Sequence, residues 1–300
     1  MNVKRMKKMK VVEAINMFVE EQKFRGNSKE TIKDYTIKLR IFSDFCGANA
    51  DIDDLSVMIF KQYQVYLMEQ RKLKRVSVQS YARDVRVFLR WLYFEDMLDI
   101  DINRLRLVKS QKDVIQPLND LESKKLLNMF NESVWLDLRN KLMCMLMLDC
   151  GLRRGEIVKL DIDDVDLKNC TMLINGKGSK QRIVPFGSTT SKLLRKYIKC
   201  TTLTRGTLFR NHDGTPITDN AIKMLFSRLK RKSGITRLYP HLLRHTFATN
   251  YILNGGNLEV LRVLMGHSTI QITQVYVHLA AQMKIINEKH LSHVDEMYSA

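Results

Sequence analysis

The 300-residue sequence predicts a mainly α protein with a small β-sheet, built as an N-terminal helical domain followed by a C-terminal mixed α/β domain. Three observations predict it. Apolar residues recur at helical spacing from Val11 to about Leu107. That periodicity lapses over residues 108–118, VKSQKDVIQPL, which contain Pro117. Beyond it, helical patterns are interrupted by two short β-patterned runs, CTMLI at 170–174 and RIVPF at 182–186. The expected division is a helical domain over 1–110, a linker at 111–118 and a second domain over 119–300, in keeping with ~150 residues per domain.

In the first domain, Ile15, Phe18 and Val19 mark one helix face. Asn27 or Ser28 can cap a second helix with the stripe Ile32, Tyr35, Leu39, Phe42 and Phe45. A third helix covers roughly Val57 to Gln70. The basic connection Arg71, Lys72, Lys74 and Arg75 leads into a fourth, with Val78, Tyr81, Val85, Phe88 and Leu92 inward and Arg83, Arg86 and Arg90 along another side. Such an arginine row can track a DNA backbone, and a solvated helix face has the same spacing. Trp91 and Trp135 are assigned to the core.

In the second domain, Asn119 and Glu122 form a capping box that opens a helix carrying Leu126, Leu127 and Phe130. LMCMLML at 142–148 reads as a buried helix, too short to cross a bilayer. In GLRRGEI, residues 151–157, Cys150-Gly151 ends that helix and Gly155-Glu156-Ile157 restarts another, placing Arg153 at the junction with Arg154 as the competing candidate. NGKGSKQ joins the β runs as a hairpin. Lys177, between Gly176 and Gly178, can reach a phosphate there, and Lys180 and Arg182 are candidate DNA contacts; alternatively Lys177, Lys180 and Arg182 are an ordinary polar tip. His212 is expected to be a solvent-exposed bystander. A helix from Asp219 to about Lys232 turns Ile222, Leu225, Phe226 and Leu229 inward.

The stretch HLLRHTFATNYILNGGNLEVLRVLMGHSTIQITQVY, residues 241–276, gathers the chemistry. His241 and Arg244 share a helix face, while Leu243, Phe247 and Tyr251 anchor the helix from a neighbouring one. Asn257 caps a second helix, Gly266 fits the left-handed position past its end, and His267 falls at the corner. Ser268 and Gln271 form a capping box for a third helix carrying Ile272, Val275 and Tyr276. Two imidazoles, a guanidinium and a phenol, without HExxH or CxxC spacing, point away from metal hydrolysis and toward phosphoryl transfer. HxxR by itself also fits a structural histidine beside a surface arginine.

Fifty Lys and Arg against 32 Asp and Glu give a net charge of +18, which suits a polyanionic partner. Residues 1–110 carry 22 basic and 15 acidic side chains, a net of +7 that leaves +11 for the rest, so both domains can touch nucleic acid. The five cysteines, Cys46, Cys144, Cys150, Cys170 and Cys200, are odd in number and lack metal or redox spacing, which fits a reducing cytoplasm. The basic opening MNVKRMKKMK leads into no long apolar run, so no signal peptide is expected and no membrane partner.

Arg153 in GLRRGE, Lys177 in GKGSKQRIVPF, His241 and Arg244 in HLLRH, His267 in LMGHS and Tyr276 in QVY together resemble the active site of the tyrosine recombinases, the phage-integrase family. The resemblance covers most of the chain and is nearest to compact Xer-type and transposon-encoded members. It implies a SAM-like helical domain that binds core-site DNA and a catalytic domain that cleaves and rejoins strands. Tyr276 would attack the scissile phosphate, giving a 3′-phosphotyrosyl link and a free 5′-hydroxyl, with His241 as general base, Arg153 and Arg244 clamping the non-bridging oxygens, Lys177 protonating the leaving oxygen and His267 donating a further hydrogen bond. No metal or other cofactor is implied. The implied partners are double-stranded DNA with paired core sites and a homo-tetramer on it, with or without a second recombinase or accessory protein; the implied location is the nucleoid. Leu279, Met283, Ile286, Leu291 and Val294 form a helical pattern over the tail, 279–300, that folds onto its own domain or, by the resemblance, docks on a neighbouring protomer. Arg154 departs from the family pattern, where a small or aliphatic residue is usual. A type IB topoisomerase and a recombinase-derived DNA-binding regulator are the other classes considered.

Overall fold

A computed structural model describes residues 9–110, 115–176, 181–287 and 293–298. The chain divides into two compact units, Met1–Asp113 and Val114–Ala300.

The first unit holds helices α1 (Val11–Phe24), α2 (Lys29–Cys46), α3 (Val57–Glu69) and α4 (Arg75–Phe94). Their apolar stripes meet at Phe18, Phe42, Phe60, Tyr63 and Phe88, all fully buried. Phe18 is the hub: the rings of Tyr35, Phe88 and Trp91 meet it edge-on with centroids 5.2 to 5.6 Å away. Ser28, rather than Asn27, caps α2 by accepting from Thr31 N at 3.3 Å. Buried Gln64 donates to Arg106 O and accepts from Val108 N, which ties the end of the unit to α3.

The second unit combines helices with a three-stranded antiparallel sheet. Helices α5 (Asp120–Leu127), α6 (Trp135–Asp149) and α7 (Arg154–Lys159) precede strands β1 (Val165–Asp166), β2 (Thr171–Asn175) and β3 (Gln181–Pro185). The hairpin register pairs Leu173 with Ile183, and β1 pairs Val165 with Met172. β1 is too short to show alternation, so only the two longer strands were visible in the sequence pattern. Helices α8 (Ser188–Thr201) and α9 (Asp219–Ser233) follow. α6 is apolar on nearly all sides because α8 and α10 (Pro240–Leu253) both cover it. Gln116–Leu118 lies on this unit: Leu118 N donates to Thr246 Oγ1 at 2.9 Å and Arg237 donates to the carbonyls of Gln116 and Pro117.

α10 begins with Pro240 at its first position, where the fixed φ is already helical. Asn257 caps α11 (Leu258–Met265), Gly266 ends it in the left-handed region, and α12 (Ile270–Asn287) follows. α12 turns Thr273, Tyr276, Leu279 and Ala280 inward, so Ile272 and Val275, expected as its apolar stripe, are 49% and 41% exposed instead. Trp135 also departs from expectation. It is half-buried rather than core, with the Arg139 guanidinium 5.9 Å from its ring centroid and exposed His212 stacked on it at 6.5 Å. Of the tail pattern, Leu279 is buried, Met283 half-buried and Val294 on α13 (His293–Tyr298) exposed; Leu291 and the side chain of Ile286 lie outside the described residues. No helix among the described residues is long and apolar enough to cross a membrane.

Candidate active site

Three separate stretches of the second unit converge on one carboxylate. Glu156 is the third residue of α7 and buried, where its Oε2 accepts from the backbone N of Arg153 at 2.8 Å and caps the helix. Its two oxygens also accept a bidentate pair from Arg182 on β3, at 2.9 Å each, and a 2.9 Å bond from Arg153 Nη1. Arg244 of α10, only 4% exposed, stands 4.0 Å from the same carboxylate. Three guanidiniums therefore share one negative charge, and the surplus positive charge makes the cluster a site for an anion.

Further guanidinium protons go to backbone carbonyls at helix ends. Arg244 donates to Gly151 O, just past α6, and to Met265 O, the last residue of α11. Arg182 Nε donates to Leu264 O at 2.7 Å and Arg153 Nη2 to Gly266 O at 3.0 Å. These are the ends where unpaired carbonyls and the helix dipole favour a cation. The approach demands glycine: Gly151 has φ +64°, and a Cβ there would lie 2.4 Å from Phe247 Cδ1.

Histidines and the tyrosine line the cluster. His267 sits at the α11–α12 corner with Nε2 3.2 Å from Arg244 Nη2 and Nδ1 3.0 Å from buried Thr273 Oγ1. A guanidinium only donates, so Nε2 accepts and the ring proton lies on Nδ1. Tyr276, 3% exposed, stacks on the His267 ring, with centroids 6.3 Å apart and planes 10° from parallel. Its hydroxyl is 3.0 Å from Nδ1 of His245. His241 is exposed in the first turn of α10, one turn before His245.

The titration shifts share one cause. Burial, and then the charges of Arg244, Arg153 and Arg182, pull His267 down to about 4. Burial followed by His241 and Arg244 pulls His245 down to about 4. His241 shifts the same way through desolvation and the charges of Arg244, Arg154 and Arg153. Arg244 itself falls to about 9, chiefly through burial and then through Arg153. Burial raises Tyr276, opposed by Arg244 and Arg153. All three imidazoles are thus neutral at pH 7.

Of the residues singled out from the sequence, Arg153, His241, Arg244, His267 and Tyr276 come together here. Lys177 and Lys180 lie outside the described residues. Arg154 turns away to pair with Asp219 of α9. Arg182, expected on DNA, is committed instead to Glu156 and the Leu264 carbonyl, with a side chain only 7% exposed. In the first unit Arg71, Lys72, Lys74, Arg75, Arg83 and Arg90 are exposed and Arg86 half-buried, with Arg90 6.0 Å from the Phe94 ring centroid. Sequence reasoning missed Glu156 and His245. Glu156 was used only to restart a helix, although an acidic residue at the third helical position beside two arginines is a pairing signal. Among the described residues, no group of three His, Cys, Asp or Glu side chains is placed to hold a metal ion.

Residues 116–283 match the model described as the phage integrase family, and residues 10–105 match the phage integrase SAM-like domain. The chain belongs to the phage integrase family. Among its relatives is the tyrosine recombinase XerC of Bacillus pumilus, 31% identical over 293 residues, covering 93% of this chain and 95% of that protein. Another is the tyrosine recombinase XerD of Listeria monocytogenes serotype 4b, 30% identical over 267 residues, covering 85% and 90%. A solved structure of the Tn1549 transposon integrase in complex with transposon right end DNA shares the fold, with a TM-score of 0.73 at 19% identity over 91% of this chain and 98% of that one. This phage-integrase family member is therefore a tyrosine recombinase of Xer type, an enzyme of site-specific recombination.

Glu156 yields a stability prediction. Burial alone would raise its pKa, but Arg182 and Arg153 outweigh that and hold it below the usual carboxylate range. A depressed folded-state value stabilises above the unfolded value of ~4.3, and the contribution is lost as pH falls through the folded value. Glu156→Ala should cost roughly 3–5 kcal/mol in denaturant unfolding at pH 7, since it strands buried guanidiniums, and the gap to wild type should narrow below about pH 4. Equal unfolding midpoints at pH 7 would contradict the role given to this carboxylate.

Proposed function

We propose that the surplus positive charge of Arg153 and Arg244 receives a scissile DNA phosphate and that Tyr276 attacks it. The tyrosine Oη–P bond forms as the P–O5′ bond breaks, leaving a 3′-phosphotyrosyl link and a 5′-hydroxyl on the departing strand. His241, neutral and at the mouth of the site, takes the phenolic proton, and Lys177 supplies a proton to the 5′-oxygen. The phosphotyrosine retains the bond energy until another strand's 5′-hydroxyl attacks, so strand exchange proceeds without a nucleotide or metal. His267 must gain a proton on Nε2 before it can donate to the phosphate, and an anion beside it favours that. The observation that carries the proposal is the three-to-one ratio of guanidiniums to carboxylate beside a buried, stacked tyrosine.

The DNA partner is double-stranded core-site DNA, approached through the basic residues of the first unit, Arg71, Lys72, Lys74, Arg75, Arg83, half-buried Arg86 and Arg90, and by Lys180. The division of the chain into two units lets each take its own share of the DNA site. Relatives support this choice: the transposon integrase is in complex with transposon end DNA, and a XerH recombinase is bound to its difH substrate. The proposed location is the nucleoid, where that DNA lies.

Assembly follows from the tail. Val294, Met297 and Tyr298 on α13 are 59%, 63% and 85% exposed, an apolar face that a neighbouring protomer would cover in a DNA-bound tetramer.

On suicide DNA substrates carrying core sites, wild type should form a covalent protein–DNA adduct that Tyr276→Phe abolishes, and Arg153→Ala should slow adduct formation on the order of 10²–10³-fold. An adduct that survives Tyr276→Phe would remove the nucleophile assignment. DNA binding with no adduct from either protein, on core sites taken from the DNA flanking the gene, would favour a regulator. Deleting residues 283–300 should spare binding to a single site and impair assembly on paired sites; undiminished assembly in a native gel would place the tail on its own protomer.

A further inference from the structure

We infer that His245 positions the nucleophile, donating Nδ1–H to Tyr276 Oη across the 3.0 Å contact and so fixing where the hydroxyl points. This rests on Tyr276 being the nucleophile. His245 lies one residue past Arg244 and one turn past His241, so the helix that delivers the guanidinium also delivers the imidazole. Three contacts define the tyrosine: the near-parallel His267 ring at 6.3 Å, the tilted His245 ring at 5.7 Å, and the hydrogen bond to Nδ1.

Burial gives that bond its importance. At 3% exposure the phenol is shut off from water, and a buried hydroxyl is oriented by the partner the protein offers. The imidazole is carried by a residue within α10, where Thr249 Oγ1 donates to the His245 carbonyl at 2.9 Å. The direction of the bond follows from the reaction. Negative charge gathers on Oη as its proton leaves, and a donor already aimed at that oxygen steadies the charge without rearranging. An Nδ1 lone pair facing the same oxygen would oppose it. With Nδ1–H as donor, the phenolic proton is free to turn toward His241, so the two histidines of one helix face divide the work. Burial and the neighbouring Arg244 and His241 hold the imidazole neutral, so it acts as a hydrogen-bond donor and not as a resting counter-ion.

The experiment compares wild type, His245→Leu, His245→Asn and Tyr276→Phe for single-turnover adduct formation on saturating suicide substrate, with DNA affinity and thermal melting measured in parallel. Leucine fills the space without a donor, whereas the asparagine amide can still donate from a similar place. His245→Leu should bind DNA as wild type does and form adduct roughly 10²-fold more slowly, and His245→Asn should recover most of that rate. Adduct formation by His245→Leu at or above the wild-type rate would overturn the inference, as would equal slowing by leucine and asparagine, which would indicate packing. If wild type forms no adduct, or Tyr276→Phe still forms one, the nucleophile reading fails and takes this inference with it. A normal adduct with an indifferent His245→Leu overturns the inference alone.

Discussion

The ion cluster around Glu156 is the constraint on which the catalytic unit depends. One carboxylate, buried at the start of α7, meets guanidiniums from α7's own cap, from β3 and from α10. A lone buried carboxylate would be costly, and so would three crowded arginines. Each makes the other tolerable, but the charges do not cancel. The residue of that sum is a fixed positive potential, which adds to burial in lowering the pKa of the histidines near it and favours the phenolate form of Tyr276 against its burial. The same interaction that holds three chain segments together thus creates the demand for an anion.

Helix ends complete the arrangement. Carbonyls at the ends of α6 and α11 accept from Arg244, and Leu264 and Gly266 accept from Arg182 and Arg153. These groups would need partners in any fold; here the partners are the arginines of the site. Gly266, with φ +60°, leaves room for Arg153 and Arg182, whose guanidinium atoms would lie 3.2 Å from a Cβ at that position. Packing, capping and electrostatics therefore act on the same atoms, which explains how short helices such as α7 and α11 can hold side chains in fixed directions.

Much of this was legible in the sequence, for identifiable reasons. Periodic stripes located α1, α2, α4 and α9, and local signals marked the caps Ser28, Asn119, Asn257 and Gly266 because capping depends on residues within one turn. The order of arginine, histidine and tyrosine motifs identified the family. What escaped depends on contacts distant along the chain. Arg182 looks like a free cation in a hairpin until β3 is seen to bring it to Glu156. The partnership of His245 with Tyr276 spans 31 residues and follows no spacing rule. The α12 stripe was misjudged because hydrophobicity favours Ile272 and Val275, while the helix's rotation is set by Thr273 bonding His267 and by Tyr276 packing beneath it. β1, with two residues, carries no pattern to read.

The central claim is that this arginine-rich pocket delivers a DNA phosphate to Tyr276. The most direct measurement is to trap the wild-type protein on a core-site suicide substrate, digest the complex with nuclease and protease, and locate the nucleotide-bearing residue by tandem mass spectrometry. The account predicts a nucleotide joined through its 3′-phosphate to Tyr276. A nucleotide on any other residue, or cleaved DNA with no nucleotide-bearing peptide, would contradict it.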